Sequence, residues 1–152
     1  MSLFIGDKEK FAIELASNEE LGHKVGRLRI WLGDKYIGTF DDASIYSLVL
    51  MQLKNVLAKN LDVECLDFDD MVRVYDLIKS EKFDGAARYF LSLGDSFDDF
   101  SIVAFCKDGE VFFIWTLMDE HFFEYEDYPT GLQYSIVPVA YFSKVLSGFS
   151  RG

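Results

Sequence analysis

Two apolar runs in the second half of the chain constrain its fold more than any other feature. They cover residues 100–106 and 111–117, and Asp108-Gly109 lies between them. An Asp-Gly pair suits a two-residue type I′ turn, so the runs predict an antiparallel hairpin. Positions 112–115 are all apolar, and they lack the alternation that is typical of a strand with one solvent-exposed face. We therefore expect this strand to be central and covered on both faces.

An earlier part of the chain predicts a second group of strands. Apolar residues alternate with other residues over 11–15 and over 25–32, which is the pattern of half-buried strands. Gly33-Asp34-Lys35 then supplies a turn, and residues 36–40 return as a strand. Residues 1–60 hold eight basic and eight acidic side chains and so carry no excess charge. We expect the opening hairpin to build the core together with the helix that follows it.

That helix is the clearest in the sequence. Apolar residues recur at helical spacing over 45–58, and Asp41, Asp42 and Ser44 precede them. We expect the side-chain oxygens of these three residues to cap the helix. The remaining predicted elements are helices over 69–80 and 83–93, a strand pair over 122–125 and 133–137, and a last helix that begins at Pro138.

These elements form no repeat and are separated by no linker, so one α+β domain over residues 1–152 is expected. Its sheet should be mostly antiparallel, with five to six strands and three to four packed helices. The chain has 15 Phe, 8 Tyr and 2 Trp, which is enough apolar area for a core without a metal or a disulfide. Cys65 and Cys106 lie in no C-x-x-C motif, and we expect both to be free thiols.

The net charge of −11 comes almost entirely from two segments. Residues 61–76 hold six acidic side chains and one basic side chain, and residues 95–128 hold ten acidic side chains and one basic side chain. Such a chain repels a phosphate backbone, which argues against nucleic acid as a partner. Two interpretations stay open: solvated loops that keep the protein soluble, or one continuous acidic face for a basic protein.

The second interpretation places the partner on the longer acidic segment, because aromatic residues are threaded through it. Aromatic rings in such a segment are also common core residues, so the alternative remains. The predicted partner-binding residues are Asp95, Asp98, Asp99, Asp119, Glu120, Glu124, Tyr125, Glu126, Asp127 and Tyr128.

Catalytic and metal motifs are poorly supported. Residues 148–152 match G-x-S-x-G, but no histidine follows them as a nucleophile elbow requires. Neither acidic triplet, 67/69/70 or 95/98/99, has the glycine and terminal glutamate of an EF-hand. We therefore expect no enzymatic activity, metal or cofactor. The alternative is a small acidic metal-dependent hydrolase or ligand-binding domain.

The N-terminal residues contain no basic and apolar stretch of the signal-peptide type, and no apolar run is long enough to span a bilayer. We therefore expect a cytoplasmic protein that binds no membrane.

The residues Phe-Ala-Ile-Glu-Leu at 11–15 and Gly-Arg-Leu-Arg-Ile-Trp-Leu-Gly-Asp-Lys-Tyr-Ile-Gly at 26–38 resemble the opening of the Immunity protein 42 family. The acidic turn Asp41-Asp42 and the helix over 45–59 extend the similarity. It is specific over residues 11–57 and looser beyond them.

This resemblance implies a cytoplasmic antitoxin of a polymorphic toxin system, of the kind that operates in contact-dependent growth inhibition. Its partner would be the C-terminal domain of a cognate toxin, and the acidic charge of the chain suits a basic, nuclease-type toxin. Inhibition would be stoichiometric protein–protein binding without chemistry, and we expect the immunity protein to be a monomer.

Overall fold

The structure, a computed structural model, describes residues 2–17 and 23–150. Its first sheet has four antiparallel strands in the order β1-β2-β4-β5. They are β1 (Leu3–Asp7), β2 (Phe11–Leu15), β4 (Leu28–Leu32) and β5 (Lys35–Ile37). The register places Ile5, Ile13, Ile30 and Ile37 side by side on the inner face.

Two further sheets complete the strands of the described residues. Strand β3 (Val25–Gly26) pairs with β6 (Ser44–Ile45). The third sheet has the order β7-β8-β9, from β7 (Phe100–Lys107), β8 (Glu110–Leu117) and β9 (Gln133–Pro138), and it is also antiparallel.

In the part of the chain that the structure describes, three α-helices pack on these sheets. They are α1 (Tyr46–Asn55), which continues into a 3-10 turn (Val56–Ala58), α2 (Phe68–Lys79) and α3 (Val139–Ser150). Two short 3-10 segments, Ala86–Tyr89 and Asp95–Phe97, lie between α2 and β7. No helix in the described ranges has the length and apolar character needed to cross a membrane.

Strand β8 is the centre of the molecule, as predicted. Phe113 and Trp115 point into a core shared with the first sheet, α1 and α3. Phe112 and Ile114 point the other way, into a second core closed by α2. The hairpin turn at Asp108 and Gly109 has φ values of +51° and +79°, as a type I′ turn requires. The α+β class is therefore confirmed. One core lies on each side of the third sheet.

Several boundaries differ from the prediction. The described strands form three sheets rather than one sheet of five to six strands. The first two are separate because the chain changes partner at Arg27, between β3 and β4. Strand β1 was not predicted. The helix expected over 83–93 is reduced to the 3-10 turn Ala86–Tyr89, which follows Gly85 in a left-handed conformation.

Residues 122–125 are a loop and not a strand, and β9 pairs directly with β8. The predicted helix cap is also wrong. Ser44 is extended in β6 and its hydroxyl bonds that of Ser96, and Ile45 is the N-cap of α1 with no side-chain hydrogen bond.

Candidate functional site

The loop between β8 and β9 carries most of the predicted partner-binding residues. We call residues 119–128 the acidic loop. Five of its carboxylates are exposed to solvent: Asp119, Glu120, Glu124, Glu126 and Asp127. The segment has no helix or strand, so its shape depends on contacts with the rest of the molecule.

Asp99 supplies the main contact. It lies just before β7 and is only 8% exposed. One carboxylate oxygen accepts the backbone N–H of Phe122 at 2.8 Å, and the other accepts that of Phe123 at 2.9 Å and the hydroxyl of Tyr125 at 3.0 Å. Burial alone would raise the pKa of Asp99, but these hydrogen bonds outweigh it and hold the pKa below its usual value. Asp99 therefore fixes the loop.

The two tyrosines of the loop are also partly internal. Tyr125 packs edge-on against Phe100, and burial followed by the neighbouring Asp99 raises its pKa. The Tyr128 hydroxyl accepts the indole N–H of Trp115 at 2.9 Å and donates to the backbone oxygen of Tyr36 at 2.6 Å. Both rings were predicted as partner contacts, but much of their surface is buried against other residues of the protein.

Phe122 is the aromatic side chain that the loop presents outward. It is 86% exposed and touches the ring of Phe123. No pattern in the sequence distinguishes Phe122 from its aromatic neighbours, because the loop has no periodicity that separates an inner from an outer face. The loop therefore presents one exposed phenylalanine ring and five exposed carboxylates to solvent.

Asp95 and Asp98 lie beside the loop, on the 3-10 segment that leads to Asp99, and both are exposed. Burial and the neighbouring Asp95 carboxylate raise the pKa of Asp98. Of the ten predicted site residues, Asp99 and Tyr125 are joined by a direct hydrogen bond. Asp95 and Asp98 precede Asp99 in the chain, and the other six lie on the loop that Asp99 holds.

The other acidic segment, residues 61–76, uses two of its carboxylates within the fold. Asp67 caps α2 by accepting the backbone N–H of Asp70, and Asp70 pairs with Arg73. The opposite end of α2 is the end near the acidic loop, where Lys79 shares a cleft with Asp119.

Within the described residues, no group of three or more His, Cys, Asp or Glu side chains is arranged to hold a metal ion. Cys65 and Cys106 are both free and buried. His121 bonds the backbone oxygen of Phe123 through Nδ1 and stacks edge-on against Tyr125, so it serves the shape of the loop.

Comparisons with known proteins identify a family and a similar fold. The model of a family described as Immunity protein 42 matches residues 1–152. The fold resembles that of CdiI from Burkholderia dolosa AUO158, with a TM-score of 0.58 over 99% of this chain and 100% of that chain. At 12% identity the likeness is one of fold. No curated protein matches the chain significantly.

Proposed function

The chain belongs to the Immunity protein 42 family, and on that premise we propose that it neutralises a cognate toxin domain by stoichiometric binding. The fold likeness to CdiI supports a role in contact-dependent growth inhibition. The protein acts as an inhibitor in the cytoplasm, as a monomer bound to one toxin domain. It performs no chemistry itself.

The acidic loop is the proposed binding surface, and the observation that carries it is the exposure of Phe122. Most of its side chain is in water in the free protein, and a partner that covers it gains apolar burial. The surrounding carboxylates, held in place through Asp99, attract a positively charged surface and speed its approach. The toxin domain is therefore basic at the contact, as nuclease-type toxins are at sites that bind phosphate.

A charge reversal tests this surface. The Glu124→Lys/Glu126→Lys variant should bind the toxin domain encoded directly upstream more slowly, and its association should lose most of its dependence on ionic strength. Both positions are exposed, so the melting temperature should stay within a degree or two. Asp127 is left unchanged because its φ of +53° would strain a lysine.

The matched control is Asp62→Lys/Glu64→Lys, which makes the same change of charge at exposed positions of the other acidic segment. Normal protection of cells by this control, together with loss of protection by the loop variant, supports the proposed surface. The reverse pattern moves the interface to residues 61–76. Failure of the wild-type protein to bind the toxin domain overturns the proposed function.

A second assay addresses the metal-dependent alternative. Mg²⁺, Ca²⁺ or Zn²⁺ should leave the melting temperature unchanged, whereas a bound metal at a hundred times its Kd would stabilise the protein by about 2.7 kcal/mol. Hydrolytic turnover that survives repurification and disappears in Asp98→Ala or Asp119→Ala would contradict the inhibitor role.

A further inference from the structure

The first sheet has a second face that takes no part in the main core. Its register aligns Phe4, Glu14 and Arg29 across three strands, and Ala12, Trp31 and Tyr36 beside them. Since their inner-face neighbours fill the core, these side chains point to the opposite side of the sheet. We call this surface the outer sheet face.

Aromatic rings form a connected row on the outer sheet face. Phe4 is 41% exposed, and its ring centroid lies 6.1 Å from that of Trp31. Trp31 lies 5.6 Å from Tyr36, and Tyr36 lies 5.2 Å from Tyr128 of the acidic loop. The row therefore runs directly into the acidic loop, and the two form one continuous surface.

A charged pair at the centre of this face is already satisfied within the protein. Glu14 is only 5% exposed, and one of its oxygens accepts hydrogen bonds from Arg29 at 2.9 Å and from the indole N–H of Trp31 at 2.8 Å. Burial alone would raise the pKa of Glu14, but these bonds outweigh it and lower the pKa. Trp31 and Arg29 are thus held in place before any partner arrives, which reduces the entropy lost on binding.

The rings of this face already accept cations. The Arg29 guanidinium lies 4.6 Å from the ring centroid of Tyr36 and 4.2 Å from that of Phe40. The Lys8 ammonium lies 5.2 Å from the ring centroid of Trp31. These ring faces are therefore covered by the protein's own cations, and the groups that attract a further positive charge are the carboxylates beside them.

A cleft of about 160 Å³ lies where the sheet meets the loop. Its walls include the aromatic rings of Tyr36, Phe40 and Tyr125. The Arg29 guanidinium and the carboxylates of Asp41 and Glu124 also line it. Burial raises the pKa of the Tyr36 hydroxyl, and the nearby carboxylate of Glu126 raises it further. Glu14 neutralises Arg29, so the loop carboxylates and Asp41 determine the charge that the cleft attracts.

We propose that the outer sheet face is the second half of the toxin interface, and that the cleft between Tyr36 and Glu124 takes a lysine or arginine side chain of the toxin. This inference rests on the proposed function and extends its surface. A second copy of the chain is the poorer occupant, because a symmetric contact would bring the acidic rims of two proteins of charge −11 together.

The two tryptophans provide a direct probe. Trp31 is half-buried on the outer sheet face, whereas Trp115 is fully buried in the core. Fluorotryptophan introduced only into the immunity protein should give two ¹⁹F resonances, which Trp31→Phe assigns. Addition of the unlabelled upstream-encoded toxin domain should shift the Trp31 resonance and shield it from a soluble paramagnetic agent, while the Trp115 resonance is shielded from that agent both before and after binding.

Substitution at Tyr36 supplies the second measurement. Tyr36→Ala should weaken toxin binding by at least about tenfold, as removal of a central aromatic anchor does, whereas Tyr36→Phe keeps the ring and should bind nearly normally. The bond from Tyr128 to position 36 is made to the backbone and survives both changes.

The possible results separate the two proposals. Toxin binding with an unmoved Trp31 resonance and with normal affinity of Tyr36→Ala overturns the inference, while the proposed function stands. Absence of toxin binding by the wild type overturns both. If Tyr36→Ala does not fold, the ¹⁹F measurement on the wild type decides alone.

Discussion

The Tyr125 hydroxyl donates a hydrogen bond to a carboxylate oxygen of Asp99 across 3.0 Å, and the same carboxylate holds the backbone of the neighbouring loop residues. One buried acid thus organises a segment that contains no helix or strand. Both oxygens of Asp99 already accept hydrogen bonds within the protein. The negative charges available to a partner are therefore the exposed carboxylates of the acidic loop.

Asp99→Asn should destabilise the protein by roughly 2–3 kcal/mol, since an amide nitrogen replaces one of the two accepting oxygens and cannot accept the backbone N–H that this oxygen binds. Hydrogen exchange at Phe122 and Phe123 should become faster. The control Asp119→Asn changes an exposed carboxylate of the same loop and should leave both quantities unchanged. Equal exchange rates in Asp99→Asn and wild type would contradict the assigned role.

The contribution of Asp99 depends on pH in a defined direction. Its pKa is lower in the folded protein than the value of about 3.9 expected for an unfolded chain, so the ionised form favours folding. This contribution is complete above pH ~4–5 and is lost as the pH falls through the folded-state pKa. The difference in free energy of unfolding between wild type and Asp99→Asn should therefore shrink between pH 7 and pH 2.5, as urea titrations can measure. If the difference in free energy of unfolding grew toward low pH, it would contradict the lowered pKa of Asp99.

Phe122→Ala should reduce affinity for the toxin by about tenfold or more without lowering the melting temperature, because the side chain is 86% exposed before binding. Leu66→Ala is the matched control: Leu66 is 79% exposed, and it lies in the other acidic segment. Calorimetric titration of both variants measures the difference. Equal affinities would remove the acidic loop from the interface.

Gly38→Ala should be strongly destabilising. Gly38 has a φ of +102°, and an added Cβ would lie 2.7 Å from the Phe97 ring, which is buried. Gly131→Ala shares the problem of positive φ, at +81°, but its Cβ would meet nothing within 4 Å. The control should therefore cost about 1 kcal/mol, and Gly38→Ala should cost clearly more. Similar melting temperatures for the two variants would show that the packing against Phe97 is loose.

Unfolding should be a single cooperative transition that reductant does not change, because β8 contributes side chains to both cores. Burial, and then the neighbouring Asp70, raises the pKa of the Cys65 thiol to about 11. Both thiols should therefore react with Ellman's reagent at pH 8 only after unfolding. Two calorimetric transitions, or fast labelling of the native protein, would contradict this prediction.

The sequence predicts those parts of the fold that local chemistry determines. The Asp108-Gly109 turn and the apolar run after it identify the β7–β8 hairpin and its central position without reference to other segments. The pairing of strands that are distant in the sequence is not indicated by any local residue pattern. The break at Arg27 and the pairing of Ser44–Ile45 with Val25–Gly26 depend on residues far apart in sequence, and a pattern of alternating residues cannot specify them.

The site shows the same limit. Its acidic side chains can be counted along the chain, but burial of Asp99 and exposure of Phe122 arise from how the loop lies against β7. The outer sheet face was missed for a related reason. Alternation predicts that one side of β4 is buried, but it does not say that Arg29 and Trp31 on the other side form a surface with the loop.

The Tyr128 hydroxyl joins Trp115 of the third sheet to the backbone of Tyr36 in the first, so the far end of the acidic loop is secured between two sheets. The side chains that secure the loop are therefore different from those that it displays. A related chain with other residues at Glu120, Phe122 and Glu124 would keep the same loop backbone and present different side chains to a partner. In such a design, recognition of a changed toxin can diverge by a few substitutions, and the stability of the fold does not have to be rebuilt each time.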